Sequence, residues 1–435
     1  MSNIRFTVFT KPQPGIMTKK INLVDGQLVK DGSQCWLSCG TAETIKVPFN
    51  ELPARLDLTE QNQAVSWGIC KDERIKIVKQ SKEANTPNAV SRTAKHFDFP
   101  KGKPAVMMLD NDTGISTTRF IEIIQEVMPQ FKGVARVERP SCSSDIYNGG
   151  KLLTSTGSGR VYLLVNDGSA IPKIGKILHQ RLILAGHGSI QITKNGAMLV
   201  RSLVDDCVWQ AERLDFAAAP VLGDGLERRA PGAKYFDGAP LVAADVEDLT
   251  QAEERRLDAI IGGLKAKAEP KADKAKSKYI DVEAEKLVKA TSIQKPDAVS
   301  IIRQRTAGNL VAGDVLHFDD LGIVSVADVL DNRARYNLET LADPLEPGYG
   351  GGRCKAIFYA NDGRPTIHSF AHGSQVYRLG LARNCGQTLE QPEKPQLMLP
   401  GVGMTLNNCA NTIGRLLAKT GRFYIRNGVL HEVAA

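Results

Sequence analysis

Residues 103–110, KPAVMMLD, form an apolar run that ends in a carboxylate, and a second carboxylate follows at Asp112. Such a run reads as a short buried strand, whose period-2 geometry points residues i and i+2 to the same side. Asp110 and Asp112 then face one spot where the strand comes to the surface. Two like charges so close repel each other until a proton, a cationic side chain or a divalent metal relieves them. An isolated Asp-x-Asp also suits a plain turn before Gly114, so the pair needs support from elsewhere in the chain.

The elements around this run limit the fold. Residues 115–131, ISTTRFIEIIQEVMPQF, carry Phe120, Ile123, Ile124 and Met128 at helical spacing. GVARVE returns as a strand, RVYLLV follows the glycine-rich STGSG as another, and residues 170–186 give a second amphipathic helix. SIQI, AMLV and RLDF then read as strands. The order predicts an α+β fold, with helices on one face of a mostly antiparallel sheet, resembling an RNA-recognition-type core. Residues 1–100 look like an α/β mixture with apolar alternation in FTVF, TKKINLV, QCWLSCG and AVSWGIC.

Thr250-Gln-Ala-Glu253 is a capping box that opens a charged helix. Residues 263–279, GLKAKAEPKADKAKSKY, are Lys- and Ala-rich and broken by Pro270, which reads as a solvated linker and the main domain boundary. VEAEKLVKA and DAVSIIRQRT beyond it read as helices, and the rest turns strand-rich. TLNNCANTIGRLLAKT gives a late helix, and FYIRNGVLHEV a hairpin about Asn427-Gly428.

At 435 residues with 42% hydrophobic content the chain can build two or three domains with sizeable cores. No stretch of 18 or more apolar residues occurs and the start lacks a signal-peptide core, so a cytoplasmic protein without membrane contact is expected. Among eight scattered cysteines only Cys35 and Cys39 are close, and no zinc is expected without a second ligand pair. A net charge of +8 suits a polyanionic partner.

Two further segments carry chemistry. In STGSGRVYLLV, residues 155–165, glycines and hydroxylated residues offer a nest of backbone N–H groups, and Ser158 and Arg160 are candidates to hold a nucleotide triphosphate. In RSLVDDCVWQAERLDF, residues 201–216, either Asp205 or Asp215 could complete a three-carboxylate metal site with Asp110 and Asp112. Lys101, Lys103, Arg201 and Arg213 are candidates to track phosphates. No G-x-x-x-x-G-K-[ST] is present, and GYGGGRCK lacks its spacing, which argues against a P-loop ATPase. His368 and His372 have H-x3-H spacing in strand-like surroundings, so they read as buried or hydrogen-bonded rather than as zinc ligands.

MMLDND, GSGRVYLLV and RSLVDD, in that order, resemble the three motifs of the archaeo-eukaryotic-type primases, the primase-polymerase superfamily. NAVSRTAKHFDFPKGKPAVMMLDND, LAGHGSIQITKNGAMLVRSLVDDCVWQAERLDF and NLETLADPLEPGYGGGRCKAIFY extend the resemblance to the bifunctional primase-polymerase and helicase proteins of bacterial prophages and integrative elements. The resemblance implies a DNA primase that makes primers on single-stranded DNA from nucleoside triphosphates, by two-metal nucleotidyl transfer with Mg2+ or Mn2+. It implies that Asp110, Asp112 and Asp205 hold the ions, with Asp215 a weaker match to the third motif. The second motif of the family carries a His where this chain has Arg160. A catalytically inactive single-stranded-DNA-binding or replication-initiator protein is the alternative, and a nuclease a more distant third. The implied organisation is a catalytic domain over 1–245, a charged helical linker over 246–300, and an α+β accessory domain over 301–435 leading toward a helicase module, with a separate replicative helicase as a possible partner.

Overall fold

In this computed structural model residues 2–111, 113–154, 159–361, 363–380, 423–426 and 429–432 are described. The strand Asn3–Thr10 (β1) lies in the middle of the first sheet, where Ile4, Phe6, Thr7, Val8 and Phe9 are buried. Gly40–Pro48 (β2) and Gln63–Ser66 (β3) flank it antiparallel. Arg74–Ile77 (β4) and Ala89–Val90 (β5) complete the order β3-β1-β2-β4-β5.

The second sheet is built from the elements around the apolar run. Ala105–Asn111 (β6) is followed by the helix Thr117–Val127 (α1), whose first turn is capped by Ser116 Oγ accepting from Arg119 N at 3.2 Å. Arg136–Pro140 (β7), Gly159–Val165 (β8) and the helix Ile171–Leu182 (α2) come next. Ser189–Ile192 (β9) and Met198–Arg201 (β10) form a separate hairpin, and Lys234–Phe236 (β11) returns to the sheet. Its order is β6-β8-β7-β11, antiparallel throughout. Residues 105–109 are all buried because the sheet is covered from both sides. Helix α1 packs on β8 and on α2, while Tyr162 of β8 meets Trp67, which in turn meets Phe6 of β1, at ring separations of 5.0 and 5.5 Å. The mixed α/β architecture read from the sequence is present.

Two expectations are corrected here. RLDF is not a strand: residues 211–217 are held to β3 by an isolated bridge, with Val65 N to Asp215 O at 3.0 Å and Asp215 N to Val65 O at 2.8 Å. The Lys- and Ala-rich segment is not broken at Pro270 either, because Gln251–Thr291 (α3) is one continuous helix of 41 residues. Proline removes one backbone donor and crowds the preceding turn, but it does so inside a long run of Ala, Lys and Glu, which favour helix. The capping box at its start forms as the sequence indicates, with Thr250 N donating to Glu253 Oε2 at 2.8 Å. Lys295–Thr306 (α4) packs on α3 through Ile280, Ala284, Ala298 and Ile302.

Residues 309–380 form a third layer with its own apolar core around Leu316, Phe318, Phe358, Ile367 and Tyr377. Its strands are Asn309–Val311 (β12), Val315–Phe318 (β13), Gly322–Ser325 (β14), Thr340–Leu341 (β15), Ala356–Tyr359 (β16), Thr366–Ser369 (β17) and Gln375–Gly380 (β18). They run in the order β12-β18-β17-β16-β15-β13-β14. By its packing the chain divides into residues 1–383 and 384–435. In the second unit Phe423–Arg426 (β19) pairs antiparallel with Val429–Glu432 (β20), Arg426 opposite Val429. Asn427, Gly428 and the helix expected over 405–420 lie outside the described residues. No described helix is long and apolar enough to cross a membrane.

Candidate active site

The register of the second sheet brings three charged residues into one row. Asp110 at the end of β6 lies directly opposite Arg160 on β8, and Arg160 directly opposite Arg139 on β7. Residues paired in this way project from the same face of a sheet, so the three side chains share one surface. Arg160 Nε lies 3.8 Å from Asp110 Oδ1. Its Nη1 donates to Asp215 Oδ1 and, at 3.1 Å, to the carbonyl of Phe216. Asp215 is 1% exposed, and its other oxygen accepts from Tyr162 OH at 2.9 Å. The zip between residues 211–217 and β3 delivers Asp215: besides the bridge at Val65, Gly68 N donates to Ala211 O at 3.0 Å.

Electrostatics explains why the group can be buried. Burial opposes the charge on Arg160, but Asp215 and then Asp110 outweigh it and hold the guanidinium well above its ordinary range. Burial, reinforced by Asp215, pushes the Tyr162 hydroxyl upward, so it stays a donor. Arg139 is also buried; its Nε lies 3.5 Å from Asp57 Oδ1 and makes no hydrogen bond. Arg228 donates from Nη2 to Ser141 O at 3.0 Å and likewise leaves its buried Nε without a partner. Burial, and Arg139 after it, lower the Arg228 pKa, which brings two incompletely satisfied guanidinium groups into each other's field.

Between Asp110 and the helix, Asn111 faces the opposite way and is fully buried. Its Nδ2 donates to Ile115 O at 2.9 Å while its Oδ1 accepts from Thr113 Oγ1 at 2.6 Å, which fixes the turn after β6. Asp112 and Ser158 lie outside the described residues.

The other described residues flagged from the sequence are not part of the row of Asp110, Arg160 and Arg139. Asp205 caps the 3-10 turn Asp206–Val208, accepting from Cys207 N at 3.0 Å, and groups with Asp206 and Cys207. Burial and these two aspartates push the Cys207 thiol up to about 11. The turn is tied to β6 through Trp209 Nε1, which donates to Met108 O at 2.9 Å. Arg201 pairs with Gln191 at 2.9 Å and reaches Asp206 at 3.6 Å. Arg213 follows on the same segment, and Lys101 and Lys103 are exposed at the other end of β6. His368 bonds Ser374 Oγ at 2.7 Å, and His372 lies 3.3 Å from Glu346 and 3.8 Å from Asp343, so both have polar partners within their own layer.

Protein-family models, curated proteins and solved structures give no match to this chain. The described residues gather two partly open carboxylates, Asp110 and Asp57, one compensated carboxylate and three arginines around the end of a strand pair. Such a constellation suits a ligand that carries several negative charges and whose reacting end lies beside Asp110.

Proposed function

We propose that this chain is a nucleotidyltransferase of the primase-polymerase type, extending a primer on single-stranded DNA from nucleoside triphosphates. The observation that carries the reading is the row Asp110, Arg160 and Arg139 across three adjacent strands, with the strand, helix, strand, strand, helix order leading into it. In that order the first strand pairs with the third and the third with the second, as in an RNA-recognition-like core, although the fourth strand joins beside the second.

In this mechanism Arg139, whose ion pair with Asp57 is long at 3.5 Å, and Arg228 in its field supply the positive charge that would hold the triphosphate. Arg160 fixes Asp215 and leans on Asp110, which orients the Asp110 carboxylate toward the strand end. Of the implied metal ligands, Asp110 fits an ion, being a partly exposed carboxylate at a strand terminus. Asp215 as placed does not, since Arg160 and Tyr162 already satisfy it. Mg2+ or Mn2+ bound at Asp110 would stabilise negative charge on the transferring phosphoryl group.

The same compensation of Asp215 favours a second reading: a replication-initiator or strand-binding protein that keeps the fold without the reaction. Labelled-nucleotide incorporation on a single-stranded template with Mn2+ or Mg2+ separates the two. For a nucleotidyltransferase, Asp110→Ala is expected to lower incorporation by about 100-fold or more, with strand affinity nearly unchanged. A wild-type chain that binds the strand but incorporates nothing would assign the binding reading instead.

A further inference from the structure

A cleft of about 420 Å³ lies at the opposite end of β6 from Asp110, lined by Asn3, Arg5, Lys46, Glu73, Lys103 and two prolines, Pro100 and Pro104. Six to seven residues of extended strand separate it from Asp110, about 20 Å at 3.4 Å per residue. Three of its lining groups are cations from three different segments. Arg5 on β1 and Lys46 on β2 are directly opposite each other in the ladder, on the face turned away from the buried Ile4 and Phe6. Like charges in that relation destabilise a strand pair. Among the described residues none of Arg5, Lys46 and Lys103 makes an ion pair or side-chain hydrogen bond, and Glu73 is the only carboxylate lining the cleft. A repulsive cross-strand pair beside a third free cation, with one carboxylate in the cleft against three positive charges, is what an anion of repeating charge would relieve.

We infer that this cleft binds the phosphodiester backbone of single-stranded nucleic acid, as a second contact for the strand that passes the Asp110 site. The choice of a polynucleotide rests on the proposed function; the anion site itself rests on the three unpaired cations. Two features favour a chain over a free triphosphate. The cations are exposed or half-exposed along a surface rather than converging from a buried pocket, and the 20 Å to Asp110 is about six nucleotides at the 3.4 Å spacing of a stacked strand.

Fluorescence anisotropy of a labelled oligothymidylate of about 20 nucleotides, titrated with the full chain between about 50 and 200 mM salt, tests this. Each lost phosphate contact should reduce the slope of log affinity against log salt by about 0.7. The Arg5→Gln/Lys46→Gln/Lys103→Gln chain should therefore lose about two units of slope and bind about tenfold more weakly or worse at low salt. Lys30→Gln, at an exposed lysine on the antiparallel hairpin of Lys20–Val24 and Gln27–Asp31, should leave both unchanged. If the triple variant folds poorly, Lys46→Gln/Lys103→Gln, which alters only exposed side chains, should still lose about 1.4 units. An unchanged slope in a folded variant overturns the inference. Loss of inorganic tripolyphosphate binding with strand affinity intact overturns it too, assigning the cleft to free phosphate groups. The readout is binding, so a chain that incorporates no nucleotide can still pass, and failure here leaves the Asp110 reading standing.

Discussion

Asp110 and Asp215 are both carboxylates beside Arg160, yet their surroundings give them different work. Asp215 is fully buried and makes two side-chain hydrogen bonds, whereas Asp110 is partly exposed and 3.8 Å from the guanidinium. Asp215→Asn leaves Arg160 buried without its counter-charge and should cost about 3 to 5 kcal/mol of stability. Asp110→Asn should cost under about 1 kcal/mol while abolishing incorporation. Urea denaturation of both variants checks this, and equal losses would remove the division of labour between them. Asp110 and Arg160 were legible in the sequence because an apolar run ending in acid and a glycine loop ending in Arg are local signals. Arg139 was not. ARVERP offers two arginines and a glutamate, and only the pairing of β7 with β8 decides which one joins the row; a slip of one residue would place Glu138 there. Asp215 stood behind Asp205 as a candidate for a similar reason, since the bridge to β3 that brings it to Arg160 joins residues 150 positions apart in the chain.

At the scale of elements, the short turn of helix at Gln80–Glu83 is held to the segment after β5 by one side chain. Glu83 accepts from Ser91 N at 3.0 Å, from the Ser91 hydroxyl, and from Lys95 at 2.9 Å, and lies 2.7 Å from His96 Nε2. Burial pushes its pKa upward, but the bonds from Ser91, Lys95 and His96 prevail and bring it from 4.5 down to about 2. The unfolded chain therefore binds a proton at higher pH than the folded one. The stabilisation is fully present above pH 4.5 and is lost as the pH falls toward about 2. Glu83→Gln should destabilise the chain by about 1 to 2 kcal/mol at pH 7, with the gap to wild type closing as the pH falls through that window. Melting temperatures across the acid range read it, and a gap independent of pH would mean that the carboxylate charge is not what holds the turn. Helix α3 teaches the complementary lesson about legibility. Its capping box was readable from four residues, but Pro270 suggested a break that the helix-favouring residues on either side override.

Across residues 1–383 as a whole, the two largest apolar cores lie on either side of contacts that are polar or very close. Lys79 pairs with Asp320, Lys194 with Glu346 at 2.8 Å, and Tyr279 OH donates to Leu345 O at 3.3 Å. The close approach is at Gly373, where φ is +88° and a Cβ would overlap the Leu199 side chain of β10. That position favours glycine for its backbone conformation, and a Cβ there must also push the Leu199 side chain aside. Exposed ion pairs contribute little each, and the packing of Gly373 on Leu199 adds an apolar contact between the 309–380 layer and the hairpin beneath it. Gly373→Ala therefore strains a left-handed backbone position and pushes the Leu199 side chain aside, loosening this contact while leaving both cores intact, since Leu199 belongs to neither. Differential scanning calorimetry of the variant is expected to split one endotherm into two, and added salt, which screens the remaining ion pairs, should widen the separation. A single transition that merely shifts downward would show instead that the two cores unfold as one cooperative unit, with the polar contacts strong enough to couple them without Gly373.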